Sequence, residues 1–420
     1  MTAPGNGGGG DVLVVGAGLA GLACATDLVA AGRSVQVLEA SEVVGGRMRT
    51  DRVDGFLLDH GFQVFNTSYP QVRRRFDLPA LRLCPLTPGA LVRTSDGGLR
   101  RLADPTRQPG SCADLMPGRL MSARDLLALG VLSARDMLAP ARPVKGARDT
   151  TTLTALADAG LSPELVEEFF RPFLSGVFLE EELETSARFF HLVWRSMLRG
   201  TQCLPRSGIG AVPQQLAAAL PPGTVRLGTP VSALTDDGVA LDGGGELSAD
   251  RVVVATGPEV AAQLLPGLEV PATRTVTTHY HAAPRPPLNE PTVLVDAQRR
   301  FLNTCVVSQA ASSYAPEGRA LVATSVLGGD GPEQDAVLRG TLAHAYGTDT
   351  GGWEHIAVRT VPGALPAMPA PWPLTRTTRV GVRRFVCGDY RATGSVQGAL
   401  ASGSRAAREV LAASGGGRRR

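Results

Sequence analysis

The first forty residues alternate between apolar runs and turn-forming residues, and this pattern predicts a strand, a helix and a second strand. Val12 to Val15 form a short continuous apolar run, which is typical of a buried parallel strand. An amphipathic segment follows and ends at Gly32, and Ser34 to Leu38 form a second apolar run. The order of these segments predicts a βαβ unit.

Glycines mark the junction between the first strand and the helix. Gly16, Gly18 and Gly21 have the spacing G-x-G-x-x-G, and their missing side chains allow backbone N–H groups and the helix N-terminus to meet a pyrophosphate. Glu39 ends the second strand, where its carboxylate can accept hydrogen bonds from a ribose diol. A glycine turn can also serve tight packing alone, but the whole unit predicts a dinucleotide site for either NAD or FAD.

The segment after the ribose acid favours FAD. In a nicotinamide site the chain normally leaves the nucleotide at this point, whereas Gly45 and Gly46 allow the backbone to pass close to the cofactor again. The guanidinium of Arg47 can then pair with a phosphate in a bidentate fashion. A second pyrophosphate contact indicates a deeply enclosed FAD.

This region resembles the flavin-containing amine oxidase superfamily, which includes amine oxidases, protoporphyrinogen oxidases and phytoene-type desaturases. The family block E-A-x-x-x-x-G-G-R corresponds here to Glu39, Ala40, Gly45, Gly46 and Arg47. The following "FLLDHGFQVF" is similar to the family's Asp-x-Gly segment beside the flavin ring. Asp59 and Gly61 match it, whereas Phe62 and Gln63 replace the usual small residues.

The C-terminal part carries a second block of the same resemblance. Between Arg383 and Leu411 the pattern predicts a strand, a loop and a helix rich in small residues. The resemblance implies that Gly388 and Asp389 bind the ribityl or phosphate region of FAD. It also implies that the backbone of Ser395 and Val396 faces the flavin N1–C2=O edge, where negative charge develops on reduction.

The resemblance implies an α/β fold, in which a doubly wound Rossmann-type FAD domain carries an inserted α+β substrate domain. The FAD domain would comprise 1–67, 203–268 and 378–415, the substrate domain 68–202 and 269–377, and a disordered tail 416–420. Alternation between Val225 and Pro258 predicts a hairpin that leads into a buried parallel strand. The resemblance implies that the Val231 backbone contacts the adenine, although a plain sheet edge explains that residue equally well.

The predicted substrate domain begins with helical patterns and continues with strands. Ser162, followed by Pro163, is a predicted helix N-cap. Ser122 and Asp125 form a capping-box pattern before an apolar helix, which favours core packing and leaves peripheral membrane contact open. The stretches "RTVTTHYHAAP" and "GRALVATSVLG" predict strands of the sheet that, by resemblance, floors the substrate cavity.

Composition limits the classes of binding partner and the cellular compartment that the sequence predicts. A net charge of +3 spread over 420 residues predicts no nucleic-acid partner. The six cysteines contain no Cys-x-x-Cys pair, which favours reduced thiols and a cytoplasmic location. The N-terminus lacks signal-peptide features, and the most apolar run falls short of the ~20 residues that span a bilayer.

The polar residues do not single out a catalytic group. His279 and His281 lie on one face of a predicted strand, but no nearby Cys, Asp or Glu in the sequence completes a ligand set, so no metal is predicted. His60, beside the flavin segment, and Arg171, among apolar residues, are expected to have structural roles.

Two departures from the family pattern bear on the substrate. Amine oxidases usually place a lysine near flavin N5, whereas Lys145, the only lysine, falls early in the chain. They also commonly carry a cage aromatic in the C-terminal motif, where this sequence has Ser395. Both departures favour the desaturase or protoporphyrinogen-oxidase-like branch, in which hydride leaves a bulky, largely apolar substrate. A flavin-dependent isomerase, an amine oxidase proper and a non-catalytic flavoprotein stay open.

Overall fold

The computed structural model describes residues 11–103, 107–108, 120–138, 140–329 and 335–415, with only the backbone described at 141–143 and 414–415. The predicted tail, 416–420, lies outside these residues. Short strands recur along the described chain and build five sheets. In chain order they are β1 (Val12–Val15), β2 (Val35–Leu38), β3 (Thr50–Val53), β4 (Phe56–Asp59), β5 (Phe65–Asn66), β6 (Leu83–Pro85), β7 (Ala90–Arg93), β8 (Leu99–Leu102), β9 (Gln202–Pro205), β10 (Val225–Arg226), β11 (Val231–Leu234), β12 (Gly238–Leu241), β13 (Glu246–Ser248), β14 (Arg251–Val254), β15 (Thr273–Ala283), β16 (Leu294–Asp296), β17 (Asn303–Val306), β18 (Ala320–Leu327), β19 (Glu354–Pro366) and β20 (Arg384–Val386).

Helices connect these strands and cover the sheets. They are α1 (Leu19–Ala30), α2 (Pro70–Arg75), α3 (Ala123–Leu138), α4 (Ala141–Gly146), α5 (Thr152–Asp158), α6 (Pro163–Leu165), α7 (Arg171–Phe178), α8 (Ala187–Arg199), α9 (Ala211–Ala218), α10 (Pro258–Leu264), α11 (Val307–Ala310), α12 (Asp335–Tyr346) and α13 (Val396–Gly415). No helix within the described ranges is long and apolar enough to cross a bilayer.

A parallel sheet with the strand order β10-β2-β1-β14-β20 forms the first half of the fold. The central strand β1 pairs with β2 on one side and β14 on the other, as the βαβ pattern predicts. Its residues are almost fully buried, because α1, α9 and α13 pack on one face of the sheet, while α10 and the β11–β13 hairpins pack on the other. The doubly wound Rossmann-type prediction is confirmed.

The packing of α13 on α1 explains the small residues of the C-terminal helix. A Cβ placed on Gly403 would lie 2.1 Å from the carbonyl oxygen of Ala20, so only glycine allows the two helices to approach this closely. The contact brings the N-terminal and C-terminal blocks of the sequence onto one face of the parallel sheet. The long-range convergence therefore depends on helix packing.

The second large sheet has the order β19-β15-β18-β17-β16-β7-β8. Strands β15 and β18 pair antiparallel, so the two predicted strands of the substrate domain are confirmed. The first part of the predicted substrate domain, 68–202, is less helical than expected, because β7 and β8 form a hairpin that joins this sheet beside β16. Four-residue strands carry little periodicity of their own, and pairing with β16 stabilises them.

Helices α3 to α8 surround an aromatic core in the first inserted segment. Ser122 and Asp125 form the predicted capping box, since each side chain accepts a hydrogen bond from the other residue's backbone N–H, at 3.1 and 3.2 Å. Asp125 also accepts from the N–H of Ser162, at 2.7 Å. The Ser162 side chain in turn accepts from the N–H of Leu165, which confirms that N-cap. The boundaries of the two domains remain a proposal.

Candidate functional site

The glycine loop at the end of β1 leaves open space at one position only. A Cβ on Gly16 would lie 2.9 Å from the oxygen of Ala255, and one on Gly21 would lie 2.0 Å from the oxygen of Gly16, so packing requires both glycines. A Cβ on Gly18 would meet no atom of the described residues within 4 Å, and the φ of this residue is −74°. The fold does not require glycine at Gly18, whereas a ligand seated against the N-terminus of α1 would.

The carboxylate of Glu39 lies against this loop. Its Oε2 accepts a hydrogen bond from the N–H of Ala17 at 2.7 Å, and its Oε1 accepts from Ser41. The Glu39 carbonyl accepts from the N–H of Thr229 at 2.8 Å, which brings the start of β11 and the half-buried Val231 to the same edge of the sheet. The next residue, Ala40, is exposed.

The second glycine pair packs directly on the first loop. Gly45 forms a parallel bridge with Gly18, and its N–H donates to the carbonyl of Ala17 at 2.9 Å. The φ angles of Gly45 and Gly46 are +121° and +59°, a region that disfavours residues with a side chain. Gly46 is exposed, and its position leaves the backbone open beside the glycine loop.

Arg47, which directly follows the second glycine pair, contacts Asp389 of the C-terminal block. Nη2 of Arg47 lies 2.8 Å from Oδ2 of Asp389, and its Nη1 donates to the carbonyl of Ala364 at 2.8 Å. Asp389 follows Gly388 after β20 and is 4% exposed, whereas the Arg47 side chain is 35% exposed. The guanidinium is therefore held by protein groups, while the Arg47 side chain as a whole keeps a partly exposed surface.

The N-terminus of α13 adjoins this pair. Ser395 caps the helix, because its Oγ accepts from the N–H of Gly398 at 3.0 Å. The N–H of Ser395 donates to the carbonyl of Thr393 at 2.7 Å, so it already has a protein partner. Val396 is the first residue of α13, and of the two residues predicted to face the flavin it is the one that places an N–H at the helix N-terminus. The two helix N-termini and Arg47 provide positive potential, and Glu39 with Asp389 provides acceptors for hydroxyl groups.

The segment beside the predicted flavin ring is fixed by Asp59. Oδ1 of this buried residue accepts from Thr50 Oγ1 at 2.6 Å and from the N–H of Ile209 at 2.9 Å, and its Oδ2 accepts from the Tyr314 hydroxyl at 2.8 Å. The Tyr280 hydroxyl donates to the Asp59 carbonyl at 2.7 Å. Burial raises the pKa of the Asp59 carboxyl to about 6, although these hydrogen bonds act in the opposite direction.

Gly61 and Gln63 complete this segment. The φ of Gly61 is +85°, which favours glycine, and a Cβ there would face Val276 of β15 at 3.8 Å. Gln63, which departs from the family pattern, donates to the carbonyls of Arg47 at 2.7 Å and His60 at 2.8 Å. The Gln63 amide therefore links the turn at Arg47 to the flavin segment. The sequence shows that Gln63 replaces a small residue but does not predict these hydrogen bonds.

The other polar candidates have protein partners. His60 Nε2 lies 2.9 Å from Asp51 Oδ2, which also accepts from Arg359 at 3.0 Å. Arg171 forms a bidentate ion pair with Glu167, which agrees with its expected structural role. These contacts join neighbouring elements and do not need a ligand.

No acidic residue lies near His279 and His281 in the sequence, but the folded chain brings one beside them. Asp335 and His355 lie beside them, although each is distant in sequence. No local pattern could have found this group, because its members come from β15, α12 and β19 and meet only in the folded chain.

The glycine loop, Glu39, Arg47 and the N-terminus of α13 fit a dinucleotide such as FAD, and comparisons with known proteins identify a flavin family. The sequence profile of flavin-containing amine oxidoreductases matches residues 19–411. Hydroxysqualene dehydroxylase of Rhodopseudomonas palustris is 29% identical over 96% of this chain and 98% of its own length.

Two solved structures share the fold over nearly their whole length. A candidate protoporphyrinogen oxidase from an Exiguobacterium species has a TM-score of 0.71 at 19% identity, covering 95% of this chain and 98% of that one. Putrescine oxidase bound to putrescine has a TM-score of 0.65 at 20% identity, covering 96% and 99%. With the profile match, these findings make the protein an FAD-dependent oxidoreductase, and the chain belongs to the family of flavin-containing amine oxidoreductases.

Proposed function

We propose that this enzyme exchanges hydride between FAD and a bulky, largely apolar substrate and does not oxidise simple amines. The observation that carries the proposal is the role of Ser395, which caps α13 where amine oxidases commonly have a cage aromatic. Lys145 gives further support, because it is exposed on α4, and its carbonyl accepts a hydrogen bond from Arg188 at 3.2 Å. A cation would need an electron-rich wall or a carboxylate, which these residues do not supply.

The whole-length relative supports a hydrocarbon substrate of isoprenoid type, because its name describes the removal of a hydroxyl group from hydroxysqualene. Bound FAD supplies a hydride acceptor when oxidised and a hydride donor when reduced. Dehydrogenation is therefore the first candidate reaction, and reductive loss of a hydroxyl group as water is the second. The protein contributes Arg47, Asp389 and the N-termini of α1 and α13 to hold the cofactor, and hydrophobic burial worth about 25 cal/mol per Å² to hold the substrate.

An exposed apolar stripe on α3 supports delivery of such a substrate from a lipid surface. Leu127, Val131 and Leu138 are 71%, 62% and 75% exposed, and their spacing puts them on one side of the helix. Arg124 and Arg135, on the same side, would meet anionic headgroups. We therefore include peripheral contact with an anionic membrane in the proposed function.

An anaerobic screen tests the reaction. Oxidised enzyme is mixed with polyenes, porphyrinogens and alkylamines, and reduced enzyme with hydroxylated isoprenoids, while the flavin absorbance is followed. Saturable bleaching by a polyene or porphyrinogen supports dehydrogenation, and saturable return of the flavin colour with a hydroxylated isoprenoid supports dehydroxylation. Fast bleaching of the flavin by amines would contradict the proposal and identify the protein as an amine oxidase. Turnover that needs prior reduction but leaves the flavin reduced would identify an isomerase.

A further inference from the structure

Three histidines and one aspartate form a compact group on the second large sheet. His279 and His281 belong to β15, His355 belongs to the neighbouring strand β19, and Asp335 is the first residue of α12. One ligand atom each from His279, Asp335 and His355 lies within 4.8 Å of the other two. We call these four residues the histidine cluster.

The register of the sheet creates the cluster. His281 pairs directly with His355 across β15 and β19, and His279 is two residues away on the same face. Tyr280 points to the opposite face, where its hydroxyl donates to the carbonyl of Asp59. The histidine cluster and the flavin segment therefore lie on opposite faces of the same sheet.

The cluster is shielded from water at its inner end. His279 and His281 are 1% and 0% exposed, whereas the His355 side chain is 31% exposed and provides an entry side.

The Asp335 carboxylate lies within hydrogen-bond distance of His281 but not of His355. His281 Nε2 lies 2.7 Å from Asp335 Oδ1, which is a hydrogen bond. His355 Nε2 is 4.0 Å from the same oxygen, which is too long for one. Ligand atoms around zinc are separated by about 3.3 Å when each bond is about 2.0 Å, so small side-chain rotations would bring His279, His355 and Asp335 to these distances.

The contacts of the Asp335 carboxylate also resemble the hydrogen bonds that surround the ligands of a metal site. Arg339, one helical turn later, lies 3.0 Å from Asp335 Oδ2, while His281 donates to Oδ1. Contacts of this kind orient a ligating carboxylate and are a common feature of metal sites. Neither residue needs to bind the ion itself, so His281 and Arg339 are positioning residues.

We propose that His279, His355 and Asp335 bind one divalent transition-metal ion, of which zinc is the best match to two imidazoles and a carboxylate. A water molecule would occupy the fourth position at the exposed side of His355. The ion would fasten the start of α12 to β15 and β19, on the face of the sheet opposite the flavin segment. This proposal is independent of the substrate proposed above.

Equilibrium dialysis of the FAD-loaded protein, without an affinity tag, against Zn²⁺ tests the site. The parent should take up one zinc per chain, and both His355→Gln and Asp335→Asn should weaken binding by about 10-fold to 100-fold or more. His344→Ala is the matched control, since His344 is an exposed histidine of α12 outside the cluster. The flavin absorbance of each variant checks that it is folded.

A second measurement separates specific uptake from surface binding. Added Zn²⁺ should raise the thermal midpoint of the parent and of His344→Ala, because an ion that binds the native state stabilises it. It should not raise the midpoint of His355→Gln or Asp335→Asn. Equal zinc uptake by the parent and both cluster variants, or no uptake by the parent, would overturn the proposal.

Discussion

Arg47 and Asp389 form an ion pair of 2.8 Å although they come from opposite ends of the chain. The pair requires β1, β14 and β20 to lie side by side and α13 to pack on α1. Asp389 is buried and the Arg47 side chain is partly exposed, so the buried carboxylate holds the guanidinium in place beside the predicted cofactor site.

We expect Arg47→Ala and Asp389→Ala each to weaken FAD binding by about 1–3 kcal/mol, because each removes a charged hydrogen-bonding group. Fluorescence titration of the apoprotein with FAD gives the dissociation constants. Arg33→Ala is a suitable control, since the Arg33 guanidinium lies 4.0 Å from the Asp11 carboxylate near the surface, away from Arg47 and Asp389. Folded variants that both retain FAD as tightly as the parent would refute convergence on the cofactor.

Glycine substitutions should separate cofactor binding from folding. Gly18→Ala should leave the thermal midpoint of the apoprotein nearly unchanged but weaken FAD binding by about 10-fold or more, because the added methyl enters space beside the helix N-terminus that the protein itself leaves open. Gly21→Ala should destabilise the apoprotein, since its Cβ would lie 2.0 Å from the Gly16 oxygen.

Gly130→Ala is the control for this pair. Gly130 lies inside α3, and no atom in the described part of the chain comes within 4 Å of an added Cβ, so alanine should stabilise the helix by about 0.5–1 kcal/mol and leave FAD binding unchanged. Normal FAD affinity in Gly18→Ala would contradict the assignment of this loop to the pyrophosphate.

Asp59 should make stability fall as pH rises. Its pKa is raised to about 6 in the folded protein from an ordinary value of 3.8, so the folded state holds the proton more tightly. The resulting stabilisation, about 3 kcal/mol at most, is fully present below pH 4 and is lost as pH rises through 6. Asp59→Asn keeps a neutral acceptor and should remove this loss.

Thermal midpoints of parent and Asp59→Asn between pH 4 and pH 8 check this prediction. The parent should lose several degrees relative to the variant across that range, since the other carboxyls are the same in both proteins. Asp158→Asn, a change of an exposed carboxyl, should show no such trend. A constant difference between parent and Asp59→Asn would mean that Asp59 is ionised throughout.

Membrane contact through α3 should depend on its exposed apolar side chains. The double variant Leu127→Asp and Val131→Asp should lose about 10-fold or more in binding to anionic phospholipid vesicles, because two side chains no longer enter the bilayer surface. Val337→Asp provides the control, since Val337 is 73% exposed on α12. Co-sedimentation measures the bound fraction, and equal loss in the control would argue against a specific membrane face.

Lys145→Met should leave the rate of flavin bleaching by substrate within about twofold of the parent, because Lys145 is exposed on α4. Stopped-flow absorbance under anaerobic conditions measures this rate, with Arg148→Met, a nearby change of charge, as the comparison. A large loss specific to Lys145→Met would assign this lysine to the flavin site and restore the amine-oxidase reading.

The sequence by itself determined the cofactor half of this protein. Spacing within Gly16 to Glu39 is local, and strand, turn and helix preferences act over a few residues, so the βαβ unit was predictable and the nucleotide site follows from it as a prediction. The capping box at Ser122 and the N-cap at Ser162 were predictable for the same reason, because a cap depends on side chains three residues apart.

The tertiary structure decided which distant residues meet. The Arg47–Asp389 pair, three of the four hydrogen bonds at Asp59 and the histidine cluster join residues that lie far apart in sequence, and no periodicity in the sequence records such contacts. Short strands such as β7 also depend on pairing, since four residues gain too little from local preference to form alone. Local hydrogen-bonding patterns therefore fixed the elements, whereas burial and register between distant elements fixed the contacts at the site.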